Sequence, residues 1–319
     1  MTRDRAGLPP SLEQSFAACL DRLVPEGSLG LAVSGGPDSL ALLLLAAAVR
    51  PGTIRAATVD HQLRAESAAE AARVAEHCAA IDVPHDILKV EVGTGASLQA
   101  QARCARYAAL AEWAKANALS AVATAHHADD QAETLLMRLA RGSGVGGLAG
   151  IRERRRLRGT LDLVRPLLTW RKADLAAIVV EAGWTAIDDP ANRDERHDRT
   201  RVRALLAANS WLDASRLARS AGTLAEAEEA LCFAVERMAT ERVVTNGASV
   251  SLDAGDLPSA LQRRLLVIAL EHFGRESPNG PDLDRALATL RAGETCTLAG
   301  TKLAGGQRWR LTPTPPRRT

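Results

Sequence analysis

Short apolar stretches recur through roughly the first half of the chain, each followed by a longer segment with helical spacing. Leu29–Val33, Thr53–Asp60, Asp86–Val92 and Leu119–Ala125 read as strands. Ser39–Val49, Ala65–Ala80, Gln99–Ala116 and Asp129–Arg141 read as the helices between and after them. Strands alternating with helices of this length predict an α/β fold with a doubly wound parallel sheet covered on both faces. Such a sheet takes its ligands at the carboxyl ends of its strands. From Asn209 onward the pattern changes to Ala-rich, charge-laced helices, Ser215–Ala239 and Leu257–Phe273, with strand-like pieces at Ala248–Leu252 and Gly305–Leu311. The change predicts two domains, residues 1–212 and a smaller, mainly helical α+β domain over 213–319. The tail from Pro313, rich in proline and arginine, predicts a frayed end.

Composition narrows the class. With 46% hydrophobic and 24% charged residues in 319, the chain has the apolar content to fill a core and is neither fibrous nor disordered. Its 40 basic and 38 acidic residues nearly cancel, so any polyanion partner must be met by local clusters rather than by net charge. The 5 cysteines are scattered, odd in number and without a C-x-x-C pair, which argues against a disulfide framework or a thiolate metal site. The start, MTRDRAGLPP, has no apolar leader, and the longest apolar run, Leu40–Val49, is half of what a bilayer requires. A soluble cytoplasmic protein with no membrane contact is the expectation.

The chemistry concentrates at the end of the first strand, in LAVSGGPDSLALLLLA. No Lys follows Gly36, so the turn is not a Walker loop, and Ala32 stands where a hydrolase elbow needs glycine. A plain strand-to-helix turn needs one cap and one glycine, fewer than are present. The remaining reading is a pyrophosphate cradle over Ser34, Gly35, Gly36, Pro37, Asp38 and Ser39. Glycines let the backbone approach an anion, the helix start turns its free N–H groups toward it, and the serines add hydroxyl donors. Asp38 would repel phosphate unless a Mg²⁺ ion lies between them, so a nucleotide with Mg²⁺ is the expected ligand and Asp38 the expected metal contact.

This S-G-G-x-D-S run resembles that of the PP-loop ATP pyrophosphatases, which cleave ATP between the α and β phosphates. Three further stretches, VDHQLR (Val59–Arg64), AHHADDQAETLLMRLARGSGVGGLAGI (Ala125–Ile151) and DDPANRDERHDRTRVR (Asp188–Arg203), join QARCARY (Gln101–Tyr107) in resembling the tRNA(Ile)-lysidine synthetases over about residues 25–205. The resemblance implies a carbon–nitrogen ligase. ATP adenylates the C2 oxygen of the wobble cytidine in the CAU anticodon of tRNA(Ile), and the ε-amino group of free L-lysine then displaces AMP. Decoding thereby changes from AUG to AUA. Adenylation turns a poor leaving group into a good one, the logic of covalent activation.

Candidate roles follow. Asp129, Asp130 and Glu133 lie off the buried stripe of their helix, near its start. Acids there complement the helix dipole by about 0.3–1 kcal/mol each, an ordinary reason for their presence. A lysine substrate also needs acceptors for its ammonium groups and must lose a proton to attack, so Asp130 is the preferred carboxylate, His126 the next choice, and Asp129 and Glu133 lysine contacts. Arg103 and Arg106 fall in early helical turns where cations oppose the dipole, which favours phosphate or adenylate contact over a solvated face. Asp60 and His61 end a strand and either line the adenosine pocket or make a simple turn. GSGVGG (Gly142–Gly147) matches a dinucleotide pattern but follows a helix, so it reads as a helix end with a loop open to tRNA backbone. Five arginines crowd Arg152–Arg158 and five Arg193–Arg203, making Arg154, Arg155, Arg199, Arg201 and Arg203 candidate tRNA contacts. In the late stretch the family usually has Arg-Asn where this chain has Arg199-Thr200. A thiolating relative or a non-catalytic nucleotide- or RNA-binding module are the alternatives, and homodimerisation is left open.

Overall fold

A computed structural model describes residues 10–62, 66–91, 98–159, 161–187, 198–274 and 278–314. Leu63 and Arg64, residues 188–197 of the late basic stretch, and the tail past Thr314 lie outside the described residues. The chain parts into two compact units between Ala225 and Glu226.

The first unit runs α1 (Pro10–Leu23), β1 (Leu29–Ala32), α2 (Pro37–Val49), β2 (Ile54–Asp60), α3 (Ser67–Ala80), β3 (His85–Lys89), α4 (Leu98–Ala116), β4 (Ala121–Ala123), α5 (Ala128–Ala140), α6 (Val145–Leu148), β5 (Arg154–Arg158), β6 (Leu161–Val164), α7 (Lys172–Glu181), α8 (Asp198–Ala208) and the first turns of α9 (Ala214–Arg242). The sheet order is β3-β2-β1-β4-β6-β5, parallel except for β5, which closes one edge antiparallel to β6. From β1 the chain moves to β2 on one side and later to β4 on the other. The carboxyl ends of β1 and β4 therefore flank the point where strand order reverses, where doubly wound sheets form their ligand crevice.

Burial explains the local choices. Central parallel strands are covered on both faces, so β1 reads LGLA without alternation and is buried along nearly its whole length. Helix α2 is apolar on almost every side because it is enclosed: Leu40, Leu42, Leu43 and Leu45 pack with Phe16 and Leu20 of α1 and with Leu175 and Ile178 of α7. On the opposite face Tyr107, Leu110 and Trp113 of α4 cover Val122 and Leu163. Asp86 fastens that face, accepting 2.8 Å hydrogen bonds from Trp113 Nε1 and from Arg55 Nε.

The arginine-rich Arg152–Arg158 stretch conceals a strand. An edge strand can carry charge on its free side, and charged edges block unwanted pairing. Alternation along β5 sends Arg154 and Arg156 toward Asp162, at 3.9 and 3.2 Å, and Arg155 to the other face.

The second unit continues α9 into β7 (Val243–Asn246), β8 (Ser249–Leu252), α10 (Ser259–Glu271), α11 (Gly280–Arg291), β9 (Thr295–Leu298), β10 (Thr301–Ala304) and β11 (Trp309–Pro313). Its sheet, β7-β8-β11-β10-β9, is antiparallel throughout. Leu252, Leu265, Leu266, Leu303, Trp309 and Leu311 form its core. The expected strand over Gly305–Leu311 is instead the turn and second arm of the β10–β11 hairpin, since the Gly305-Gly306 pair breaks the strand pattern.

Leu163 is fully buried under α4. Leu163→Ala is expected to lower the unfolding free energy of the first unit by about 2–5 kcal/mol, read by urea titration.

Candidate active site

The loop after β1 is built around one hydroxyl. Ser39 Oγ accepts hydrogen bonds from the backbone N–H groups of Ser34 and Gly35, both at 3.1 Å, and donates to the Gly36 carbonyl at 2.9 Å. Ser39 therefore shapes the cradle from inside, and the hydroxyl of the exposed Ser34 donates to Ser39 Oγ at 3.3 Å. Gly35 has φ +85°, and a Cβ there would meet Ile187 Cδ1 at 2.3 Å, so the fold itself demands glycine. Gly36, with φ −71°, is different: only Ser34 Oγ, at 3.8 Å, lies near its missing Cβ. Among the described residues nothing else fills the space over Gly36, which suits the close approach of a ligand. Pro37 opens α2 at a position where a missing N–H costs nothing, and no side chain caps the helix start, leaving its positive end free for an anion.

The second half of the site comes from β4. His127, 3% exposed, caps α5 in an unusual capping box: Asp130 N donates to its Nδ1 at 3.4 Å, and Asp130 Oδ2 accepts from His127 N at 3.2 Å. The other ring nitrogen lies 3.4 Å from Asp38 Oδ2 and 3.5 Å from Asp130 Oδ2. Burial alone would lower the His127 pKa, but Asp38, Asp130 and Asp129 together hold it above the usual imidazole value. This histidine thus ties the β1 loop to α5 across the reversal point.

On the α4 side the field is positive. His126, whose Nδ1 lies 3.0 Å from Thr124 Oγ1, is pushed down to about 2 by burial and by the charges of Arg165, Arg106, Arg103 and Arg199. So low a value keeps the ring neutral and suits it to hydrogen bonding. His61 is likewise lowered by burial and by Arg106. Asp38 Oδ1, His61 Nδ1, Arg106 Nε and Arg165 Nε are buried with no hydrogen-bond partner. Unpaired buried polar atoms are rare, and four at one sheet edge point to groups that a ligand satisfies.

Several sequence-predicted residues have structural occupations. Glu133, 3% exposed, accepts from Arg203 Nε at 2.6 Å and pairs with Arg199 Nε at 2.8 Å, clamping α8 onto α5. These two ion pairs give Glu133 a structural role beside the lysine contact expected of it. Asp129 accepts from the backbone N–H of Lys172 at 2.9 Å and lies 3.4 Å from Arg171 Nε, setting the start of α7. Asp60 accepts from Gln62 N at 2.9 Å, a bond that holds its pKa low and favours the turn reading. Arg154 donates to the Leu23 carbonyl at the end of α1, away from Arg155, so the two do not form one patch. Arg201 is exposed on α8. The glycine run after α5 is pinned to that helix by Arg138 Nη1, which donates to the carbonyls of Gly147 at 2.6 Å and Gly150 at 3.0 Å. Sequence reasoning passed over His127 in favour of its neighbour; the H-H-x-D-D spacing held the capping signal, but which histidine points inward depends on where β4 ends.

A parallel sheet whose first loop is a glycine-bearing cradle with a helix start and an inward carboxylate defines a PP-loop nucleotide-binding domain, and the PP-loop domain family matches residues 9–209. Among solved structures, the U34-tRNA thiolase NcsA of Methanococcus maripaludis shares this fold with a TM-score of 0.56 at 16% identity, over 68% of this chain and 79% of that one. Much nearer in sequence is the tRNA(Ile)-lysidine synthase of Novosphingobium aromaticivorans, 49% identical over 95% of this chain and 94% of its own. The Zymomonas mobilis tRNA(Ile)-lysidine synthase is 44% identical over 92% and 90%. The chain belongs to the tRNA(Ile)-lysidine synthase family.

Glu133→Gln removes the counter-charge of Arg203 and the nearer of the two carboxylates beside Arg199, and is expected to cost about 2–3 kcal/mol of stability, read by thermal or denaturant unfolding. His126 gives a pH signature. Its folded pKa lies below the unfolded value, so its neutral burial favours folding above about pH 6.5 and loses that advantage as pH falls, by up to about 1.4 kcal/mol per pH unit. His126→Asn should flatten the acid limb of a stability–pH curve below about pH 6.5. An unchanged limb would mean that the ring charges freely in the fold.

Proposed function

We propose that this chain is a tRNA(Ile)-lysidine synthase that joins L-lysine to the wobble cytidine of a CAU anticodon at the expense of ATP. The observation that carries the reading is the Asp38–His127–Asp130 constellation, which joins the phosphate cradle to a carboxylate across the reversal point of a lysidine-synthase-family sheet.

ATP lies along Ser34–Ser39, with its phosphates toward the α2 start. Asp38 fits a Mg²⁺ ion: Oδ1 is buried and unpaired, and Mg²⁺ is commonly held by one or two carboxylates together with substrate phosphates. When bound, the ion would neutralise charge on the phosphates. In the first step the cytidine O2 attacks the α-phosphorus, the bond to the bridging oxygen breaks and pyrophosphate leaves. Arg106, with its unpaired Nε, is assigned to the negative charge of the adenylate. In the second step the lysine ε-nitrogen attacks C2, the C2–O bond breaks and AMP departs with the oxygen. Asp130, 15% exposed at its side chain, is assigned to orient the amine and accept its proton. His127 positions Asp130 and Asp38 relative to each other.

Arg155, Arg199 and Arg201 are assigned to tRNA phosphates, Arg199 with part of its charge already spent on Glu133. The second unit is assigned to tRNA contact as well. In support, Phe233 is 63% exposed with the Arg237 guanidinium 5.8 Å above its ring, an aromatic–cation pair suited to a nucleobase. No helix among the described residues is long and apolar enough to cross a membrane.

The test is product analysis. AMP and pyrophosphate should form in step with lysine transfer only when ATP, lysine and a CAU-anticodon tRNA are all present, and Asp130→Asn should abolish transfer while the protein still melts as one folded species. ADP as product, or undiminished transfer by that variant, would contradict the assignment. The glycines give a second test: Gly36→Ala should keep the melting temperature and weaken ATP binding, whereas Gly35→Ala should lower the melting temperature itself.

A further inference from the structure

The nucleotide reading leaves Arg165 and Tyr107 without a task. Tyr107 is 8% exposed, yet three guanidinium groups crowd its ring: Arg155, Arg103 and Arg106 stand 4.7, 5.0 and 5.1 Å from its centroid. Arg165, 2% exposed at the end of β6, is the fourth cation of the group and also acts on the Tyr107 hydroxyl. Burial would raise the phenol pKa, but Arg106, Arg103 and Arg165 bring it below its ordinary value. Among the described residues no ion pair joins a carboxylate to any of these four arginines, and the Nε atoms of Arg106 and Arg165 are buried without partners. Aromatic stacking accounts for one such cation, not for four. Like charges this close repel one another unless an anion enters among them.

Topology locates the cluster. Arg165 follows β6, Arg155 on β5 pairs with Leu163 on β6, and Arg103 and Arg106 sit in the early turns of α4, all toward the carboxyl edge of the sheet. Strands β1 and β6 are separated by β4 alone, so the cluster lies about two strand spacings, roughly 10 Å, to the side of the Ser34–Ser39 loop. It stands beside the cradle and adjoins it at Arg106, the residue assigned to the adenylate.

We propose that Arg155 and Arg165, gathered with Arg103 and Arg106 around Tyr107, form a second phosphate-binding site beside the nucleotide cradle. Two phosphates are within the chemistry of the reaction: a backbone phosphodiester of the tRNA next to the modified base, and the pyrophosphate on its way out. The tRNA source rests on the proposed function; binding of pyrophosphate does not.

Arg155 is exposed on an edge strand, so Arg155→Gln can be made without opening the core, with the melting temperature as the check. Arg155→Lys retains the charge. Two measurements separate the sources: calorimetric titration of the nucleotide-free protein with inorganic pyrophosphate, and affinity for a tRNA(Ile) transcript across a salt series. Arg155→Gln should weaken one of these by about tenfold, and Arg155→Lys should recover most of the loss. Loss on the tRNA side, with a salt slope smaller by about one, identifies a backbone phosphate; loss on the pyrophosphate side identifies the leaving group. Unchanged binding of both ligands by Arg155→Gln overturns the site and leaves the cluster as packing around Tyr107. If the wild type binds pyrophosphate through Arg155 but forms no AMP, the site stands and the ligase reading falls.

Discussion

The contact between His127 and Asp38 is the hinge on which the site depends. One residue comes from the loop after β1 and the other from the cap of α5, segments far apart in sequence that meet because β1 and β4 are adjacent strands with connections leaving in opposite directions. Burial lowers the pKa of this imidazole, but Asp38, Asp130 and Asp129 raise it above its ordinary value, and its Nε2 stands between Asp38 and Asp130 at 3.4 and 3.5 Å. The cradle is thereby set in register with the carboxylate assigned to the lysine amine.

Electrostatics divides the carboxyl edge of the sheet into two fields. Around α5 the carboxylates of Asp38, Asp129 and Asp130 raise the pKa of His127; around α4 burial, with Arg165, Arg106, Arg103 and Arg199, lowers that of His126. Neighbouring histidines in the chain are therefore shifted in opposite directions. A reaction that joins a cationic amine to a phosphate-activated base needs both fields side by side, with acceptors for the amine on one flank and donors for phosphate on the other. The arrangement uses groups already fixed by the fold, so little reorganisation is required when substrates arrive.

Much of the fold was legible because its signals are local. The LGLA strand, the apolar helix that follows the SGGPDS turn, and the repetition of that unit all follow from burial on both faces of a parallel sheet. Strand β5 was hidden because an edge position lets arginines stand where apolar residues would otherwise mark a strand, and β10–β11 was misplaced because its turn, not its strands, carries the glycines. At the site, the type of each residue was legible but not its partner. Glu133 and Asp129 looked like free acids because their counter-groups, Arg203 and Arg199 on α8 and the start of α7, lie many residues later in the chain. Arg154 and Arg155 looked like one patch until strand alternation parted them.

The central claim is that Asp38 receives a magnesium ion carried by ATP in the cradle after β1. Calorimetric titration of ATP into wild type and Asp38→Asn, each with and without Mg²⁺, tests it most directly. The account predicts that Mg²⁺ tightens ATP binding to the wild type and that the substitution erases this gain while the protein stays folded. Equal sensitivity to Mg²⁺ in both proteins would contradict it.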